Sequence, residues 1–438
     1  MSSPDGRDAA PADPGRRRVL RAGALGAGAA TLGAAGVGGA WALSTQRGGG
    51  PTAAAPGTPT ATASADPAAP EAAAAPADTP LFGDQTVPFH GEHQAGIETA
   101  PQAAATLLGL DLRPGTDLAA LRRLLRLLTD DAARLTQGEP ALADVEPEMT
   151  REPARLTVTV GFGPGLMTAA GRTPPDWLAP LPAFQIDQLQ PRYTGSDLLI
   201  QVAADDPLVV AHAARLLAKD ARAFTTARFT QRGFRRARGT QPGGTTQRNL
   251  FGQLDGSANP QLGSEHFRRV VWIPDGPFAG GTSLVLRRIR MDLDTWDAVD
   301  RVARENAVGR HLDTGAPLGG RAEQDLPDFE ALTPHGFARI PEFSHMRRAR
   351  GVDESRHDEI FRRPYNYEET VGPEGELESG LLFLSFQADL RAQFLPIQQR
   401  LAELDLLNQW TTPVGSTVVA IPPGCQEGEY LGQSVLEG

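Results

Sequence analysis

From about residue 80 onward the spacing of apolar residues changes period in a fixed order, and that order restricts the fold more than any single residue does. Gln102 to Leu112 reads as a strand, and Asp117 to Thr136 carries leucines at 118, 121, 124, 125, 127 and 128, one face of a helix. Leu156 to Phe162 alternates and is β-branched, as a strand should be, and Leu198 to Ala203 supplies another. Asp206-Pro207 then caps a helix whose stripe is Val209, Val210, Ala213, Ala214 and Leu217. The order strand, helix, strand, strand, helix, strand is a ferredoxin-like unit, here spanning 80–250. A second pass over 251–438 has a strand at Thr282 to Ile289, a helix at Asp294 to Ala307, a strand at Leu381 to Gln387, a helix at Leu390 to Leu404 and a strand at Thr417 to Ile421. The expected class is α+β, with two ferredoxin-like units whose antiparallel sheets are backed by helices. Between Gly309 and Gly380 periodicity is weak, and long irregular stretches inside a compact fold are usually functional.

The first 79 residues do not belong to this pattern. Gly15-Arg16-Arg17-Arg18-Val19-Leu20-Arg21 fits a twin-arginine export signal, followed by uncharged Ala22 to Leu43, rich in Ala and Gly, and a small-x-small cleavage site at Ala40-Trp41-Ala42. Residues 1–43 are therefore read as a signal peptide, with an uncleaved anchor as the alternative. The Ala, Pro, Thr and Gly tract of 44–79 has too little large apolar content to collapse and is read as a tether. Export by this route carries folded protein, so the expected contact with the membrane is transient, the expected location is periplasmic, cell-surface or extracellular, and the route suits a chain that must load a cofactor before export.

Composition excludes some functions. A net charge of −11 disfavours nucleic acid as a partner. Cys425 is the only cysteine, so the chain has no intrachain disulfide and no multi-cysteine metal or iron–sulfur site.

Three segments concentrate chemistry. Asn249-Leu250-Phe251-Gly252-Gln253-Leu254-Asp255-Gly256-Ser257-Ala258-Asn259-Pro260 places one carboxylate on a glycine-bracketed loop, where Gly252 and Gly256 permit positive φ or close approach to a flat ligand. An ordinary surface turn is the competing reading. Ser344-His345-Met346-Arg347 follows, then Ile360-Phe361-Arg362-Arg363-Pro364-Tyr365-Asn366-Tyr367. In this order the three resemble the dye-decolorising peroxidases, whose pattern is a glycine-flanked distal Asp followed by Asn-Pro, a proximal histidine, and a distal arginine ahead of tyrosines. Phe89 to Ile97, Thr157 to Gly165, Gly309-Arg310 with Thr314 to Leu318, and Gly415-Ser416 with Pro422 to Gly424 extend the likeness to nearly everything after Val87.

The resemblance implies a two-fold ferredoxin-like architecture of the dimeric α+β barrel type, with haem b in a pocket between sheet and helices. It implies an exported peroxidase that takes hydrogen peroxide and small aromatic donors, through a ferryl porphyrin radical. His345 is the implied axial ligand to iron, Asp255 the distal base and Arg362 the group holding charge that grows on peroxide. Asp405 resembles the proximal acid that would orient His345. Arg310, His311, Thr314 and Phe386 complete the cofactor-binding candidates, with His311 a rival ligand. His357 and His212 are read as solvated and as helix-borne. Arg363 is a rival to Arg362. Leu254 and Pro364 depart from the family's usual residues, and Pro364 removes a backbone donor beside the arginine pair. Trp272, Trp296, Tyr365, Tyr367, Trp410 and Tyr430 are candidate electron relays to bulky dyes, with the two tyrosines after Arg362 favoured. Rival functions are iron release from haem and a non-catalytic haem-binding partner, the latter if Pro364 displaces Arg362. A homo-oligomer is left open.

Overall fold

The structure, a computed structural model, describes residues 81–350, 358–371 and 375–438. Among them nine strands run β1 (Ala104–Leu112), β2 (Thr157–Phe162), β3 (Leu198–Ala204), β4 (Thr225–Phe234), β5 (Thr282–Met291), β6 (Phe361–Arg362), β7 (Tyr365–Val371), β8 (Glu376–Gln387) and β9 (Thr411–Ile421). The helices are α1 (Leu118–Thr136), α2 (Pro164–Ala169), α3 (Pro207–Ala221), α4 (Glu265–Val271), α5 (Leu293–Asp297), α6 (Arg301–Val308), α7 (His345–Arg350), α8 (Leu395–Leu404) and α9 (Gln433–Glu437). None of these is long and apolar enough to cross a membrane.

The first half pairs its strands in the order β4-β1-β3-β2 and the second repeats that order as β9-β5-β8-β7, all antiparallel. Each is the strand order of a ferredoxin-like unit. Phe162 of β2 pairs with Ala420 of β9, and Phe234 of β4 with Asn366 of β7, so the edges of the halves meet twice and the expected two sheets become one closed α+β barrel. The boundary at 250/251 falls between β4 and β5, inside one compact unit, Ala75–Gly438.

Because side chains alternate across a strand, each half has two apolar faces. Leu107, Leu199, Leu284, Leu286, Leu382, Leu384, Val419 and Ile421 fill the interior with Phe267, Phe361 and Phe386. Their sequence neighbours Leu108, Ile200, Val202, Val285 and Val418 turn outward under Leu121, Leu124 and Leu125 of α1 and Val210 and Leu217 of α3. Asp117 and Asp206 cap those two helices, accepting from Ala120 N and Leu208 N.

The structure corrects the sequence reading where a local donor was overlooked. The helix expected over Asp294 to Ala307 is two, α5 and α6, because Asp300 accepts from Ala303 N and starts a new helix. The helix expected from Leu390 opens with a π turn over Leu390–Phe394, ahead of Pro396, which has no N–H to donate. Pro364 likewise interrupts pairing on β8, leaving β6 and β7 where one strand would run.

Candidate active site

The distal loop is shaped by its own polar side chains. Asn249 Oδ1 accepts from Phe251 N and Gln253 N at 3.1 and 3.3 Å, and the Asp255 amide donates to Gln247 O at 2.8 Å. Gly256 sits at φ 137°, a conformation that side chains rarely adopt. The result is an inward carboxylate: Asp255 is buried, with Oδ2 held weakly by Asn249 Nδ2 at 3.5 Å.

Arg362 comes from β6, pairing with Ser385 of β8. Its guanidinium donates to Asp255 Oδ1 at 2.8 Å. Asn259 grips its backbone from both sides, Oδ1 accepting from Arg362 N at 3.1 Å and Nδ2 donating to Arg362 O at 2.6 Å. The rival Arg363 points to the opposite side of the strand, fully buried, donating to Thr99 O and Gln102 Oε1. Pro364 does not displace Arg362. Its carbonyl instead accepts from Arg235 at 3.0 Å and Gln247 at 3.3 Å.

His345 is the first residue of α7. That short helix is tied to α8 by reciprocal bonds, Arg348 Nε to Arg400 O at 3.1 Å and Arg400 Nε to Arg348 O at 2.9 Å. Asp405 ends α8, and its Oδ1 accepts from Leu407 N at 3.0 Å, which fixes the carboxylate plane. Its Oδ2 accepts from His345 Nδ1 at 2.6 Å. Burial disfavours a charged ring, but the Asp405 charge and hydrogen bond outweigh it and hold the His345 pKa above the ordinary value. The charges of Arg362 and Asp255 also act on this ring, so the Asp255 loop, β6 and α7 come together around one place. A third of the His345 side chain is accessible although protein surrounds it, so that surface faces internal space.

Arg310 is half-buried and donates to Gly315 O at 2.6 Å and Glu323 O at 2.9 Å. Burial pushes its pKa down, Glu323 opposes this, and the guanidiniums of Arg362 and Arg350 add to it. The guanidiniums of Arg310, Arg362 and Arg350 thus act on one another, with Glu323 and Asp255 as the opposing charges. The remaining candidates lie as follows. His311 Nδ1 pairs with Glu305 at 3.0 Å, and Thr314 is exposed, its hydroxyl accepting from Ala316 N at 3.2 Å. Phe386 is fully buried on β8 with its ring 6.2 Å from Phe361. His212 is buried, 3.0 Å from Asp144, while His357 lies outside the described residues.

Sequence reasoning missed the role of Asn259, treated only as a turn former, although its fixed distance from Asp255 was the available signal. It also favoured Tyr365 and Tyr367 as surface relays. Both are completely buried, Tyr367 donating to Glu378 under Arg288, which lies 3.8 Å over its ring. Trp272, Trp296 and Tyr430 are buried too, and only Trp410 of that set reaches the surface, in edge contact with Trp296 at 5.1 Å.

These groups suit an iron porphyrin. An imidazole with one nitrogen bound to a carboxylate leaves the other free to ligate, the Arg310 guanidinium, bonded to backbone carbonyls, suits a propionate, and the acid–guanidinium couple suits peroxide. That combination on an α+β barrel defines a class, the haem-dependent oxidoreductases that act on peroxide. Two family models match, "Dyp-type peroxidase, N-terminal" over residues 94–235 and "Dyp-type peroxidase, C-terminal" over 246–426. A dye-decolorizing peroxidase of Thermobifida fusca is 39% identical over 362 residues, covering 79% of this chain and 84% of that one. A deferrochelatase of Escherichia coli is 33% identical over 384 residues, covering 82% and 89%. The crystal structure of a DyP-type peroxidase from Cellulomonas bogoriensis superposes with a TM-score of 0.78 at 51% identity, covering 82% of this chain and all of that one. The chain belongs to the DyP-type peroxidase family and is a haem b-dependent peroxidase.

Proposed function

We propose that the protein works outside the cytoplasmic membrane, reducing hydrogen peroxide and oxidising phenolic or dye-like aromatic donors. The single observation that carries the chemistry is the 2.8 Å contact between Asp255 and Arg362, a couple near enough for its charges to act on the His345 ring. Haem, when bound, supplies the redox centre. His345 would hold it through Nε2, since Nδ1 is committed to Asp405, and Arg310 would meet a propionate. Asp255 would take the proton from one oxygen of hydrogen peroxide and return it to the other, the transfer that lets the departing oxygen leave as water when the bound haem supplies the two electrons. Arg362 holds the negative charge that grows on the leaving oxygen, and its permanent charge does so at any working pH. Trp410, backed by Trp296 and then Phe251 at 4.5 Å, offers donors too bulky for the pocket a route to the loop that carries Asp255.

Stopped-flow mixing of the haem-loaded protein with peroxide tests this reading. Asp255→Asn should slow peroxide consumption by about 10² to 10⁴ while haem stays bound. An Asp255→Asn protein that consumes peroxide at the parental rate would remove Asp255 from the chemistry. The 33% identity to a deferrochelatase supports a second reading, release of iron from haem. Recovery of intact porphyrin and free iron after incubation with haem would favour it. Export is tested by changing Arg16 and Arg17 to Lys together: the proposal expects precursor retained in the cytoplasm, and undiminished export would reject the twin-arginine route.

A further inference from the structure

Beside the Asp255–Arg362 couple the surface opens into a cleft of about 780 Å³. Five arginines (155, 235, 236, 238 and 362) and two aspartates (205 and 255) line it, a local excess of positive charge in a chain whose net charge is −11. Both aspartates are already committed. Asp205 accepts from Arg155 at 2.8 Å and Arg238 at 3.1 Å, and Asp255 accepts from Arg362. Among the described residues no carboxylate lies within ion-pair distance of Arg235 or Arg236. Arg235 donates to the Pro364 carbonyl, and Arg236 to Gln241 Oε1 and, at 2.7 Å, to Thr245 O. Burial pushes the Arg235 pKa down to about 10, the sign of a guanidinium held away from water and still charged at neutral pH. Phe82, Pro101, Pro260, Leu262 and Phe361 add apolar lining to the same cleft. Half-buried cations without a carboxylate partner, next to apolar walls, are complementary to an aromatic ring bearing a carboxylate or sulfonate.

We propose that this cleft is a binding subsite for aromatic organic anions, with Arg235 and Arg236 holding the acid group and the apolar wall holding the ring. That it delivers an electron donor rests on the peroxidase reading; that it binds the anion does not. A donor so held lies against Arg362 and Asp255, because those two residues form part of the cleft wall. Arg235 and Arg236 would therefore set donor preference without touching peroxide.

Two measurements on the haem-loaded full chain test it. In calorimetric titration without peroxide, naphthalene-2-sulfonate should bind about tenfold more tightly than 2-naphthol, and added salt should narrow the gap. Arg235→Gln and, separately, the more exposed Arg236→Gln should each reduce the sulfonate affinity severalfold and leave 2-naphthol unchanged. In turnover, both variants should raise KM for a sulfonated donor and leave KM for peroxide and for a neutral methoxyphenol as they were. Equal binding of the two naphthalenes, or sulfonate affinity unaltered in a folded Arg236→Gln protein, overturns the proposal. So does loss of haem from the variants with sulfonate affinity retained, which would give the cleft to the porphyrin. A protein that binds the sulfonate in this arginine-dependent way but consumes no peroxide would refute the peroxidase reading and leave the subsite standing.

Discussion

Asp255 and Arg362 meet at 2.8 Å although they are distant in sequence, because Asn259, four residues beyond the acid, holds the arginine's own backbone. One amide therefore couples the loop to β6. Asn259→Ala should leave the fold and haem binding intact yet lower peroxide consumption by roughly tenfold or more, since a small misplacement of a catalytic group is costly. A parental rate in stopped flow would show that the clamp does not matter. Behind the histidine, Asp405→Asn should weaken haem binding by about 10- to 100-fold, the usual effect of losing the carboxylate that orients a ligating imidazole, and a haem titration measures it. At this scale the sequence showed which residue types were needed and in what order. It did not separate Arg362 from Arg363 on physical grounds; the alternation of a strand did, sending the second into Thr99 and Gln102. Nor could it reveal the arginine-lined cleft, because Asp205, which pairs with both Arg155 and Arg238, comes from another part of the chain.

Helices and strands were legible where one face is apolar and the caps are local, as in α1 with Asp117 and α3 with Asp206. The breaks at Asp300 and before Pro396 were missed because the apolar pattern runs through them while the backbone bonding does not. The packing of α1 on α3 has a pH dependence of its own. Asp220 of α3 has its pKa raised to about 7, through burial first and then through its hydrogen bond and charge contact with Asp131 of α1; Lys219 and Arg222 pull it back. The unfolded chain loses this proton near the ordinary carboxyl value of 3.8, whereas the folded chain keeps it to about 7. Stability therefore falls as pH rises across that interval and stays lower above it. Asp220→Asn should raise the melting temperature at pH 8 and change little near pH 4, as scanning calorimetry at the two values would show; an equal shift at both would contradict the linkage.

The whole barrel closes through two narrow seams, Phe162 to Ala420 and Phe234 to Asn366, where each half covers the other's open edges. Residues 80–250 expressed alone should leave both edges of β4-β1-β3-β2 unpaired and aggregate or dimerise, and sedentation by analytical ultracentrifugation distinguishes this from a soluble monomer. The ring closure was not legible in the sequence, since a repeated strand order fixes each half but not which edges meet. The site is assembled by the second half from separate stretches: Asp255 from the loop ahead of β5, His345 and Arg362 from the long segment between β5 and β7 whose periodicity is weak, and Asp405 from the end of α8. The central claim, that His345 backed by Asp405 ligates haem, is tested most directly by the visible spectrum of the haem-loaded protein beside that of His345→Ala. The account predicts a Soret band lost or strongly shifted in the variant. An unchanged band, with haem affinity intact, would contradict it and give the ligand role to another side chain.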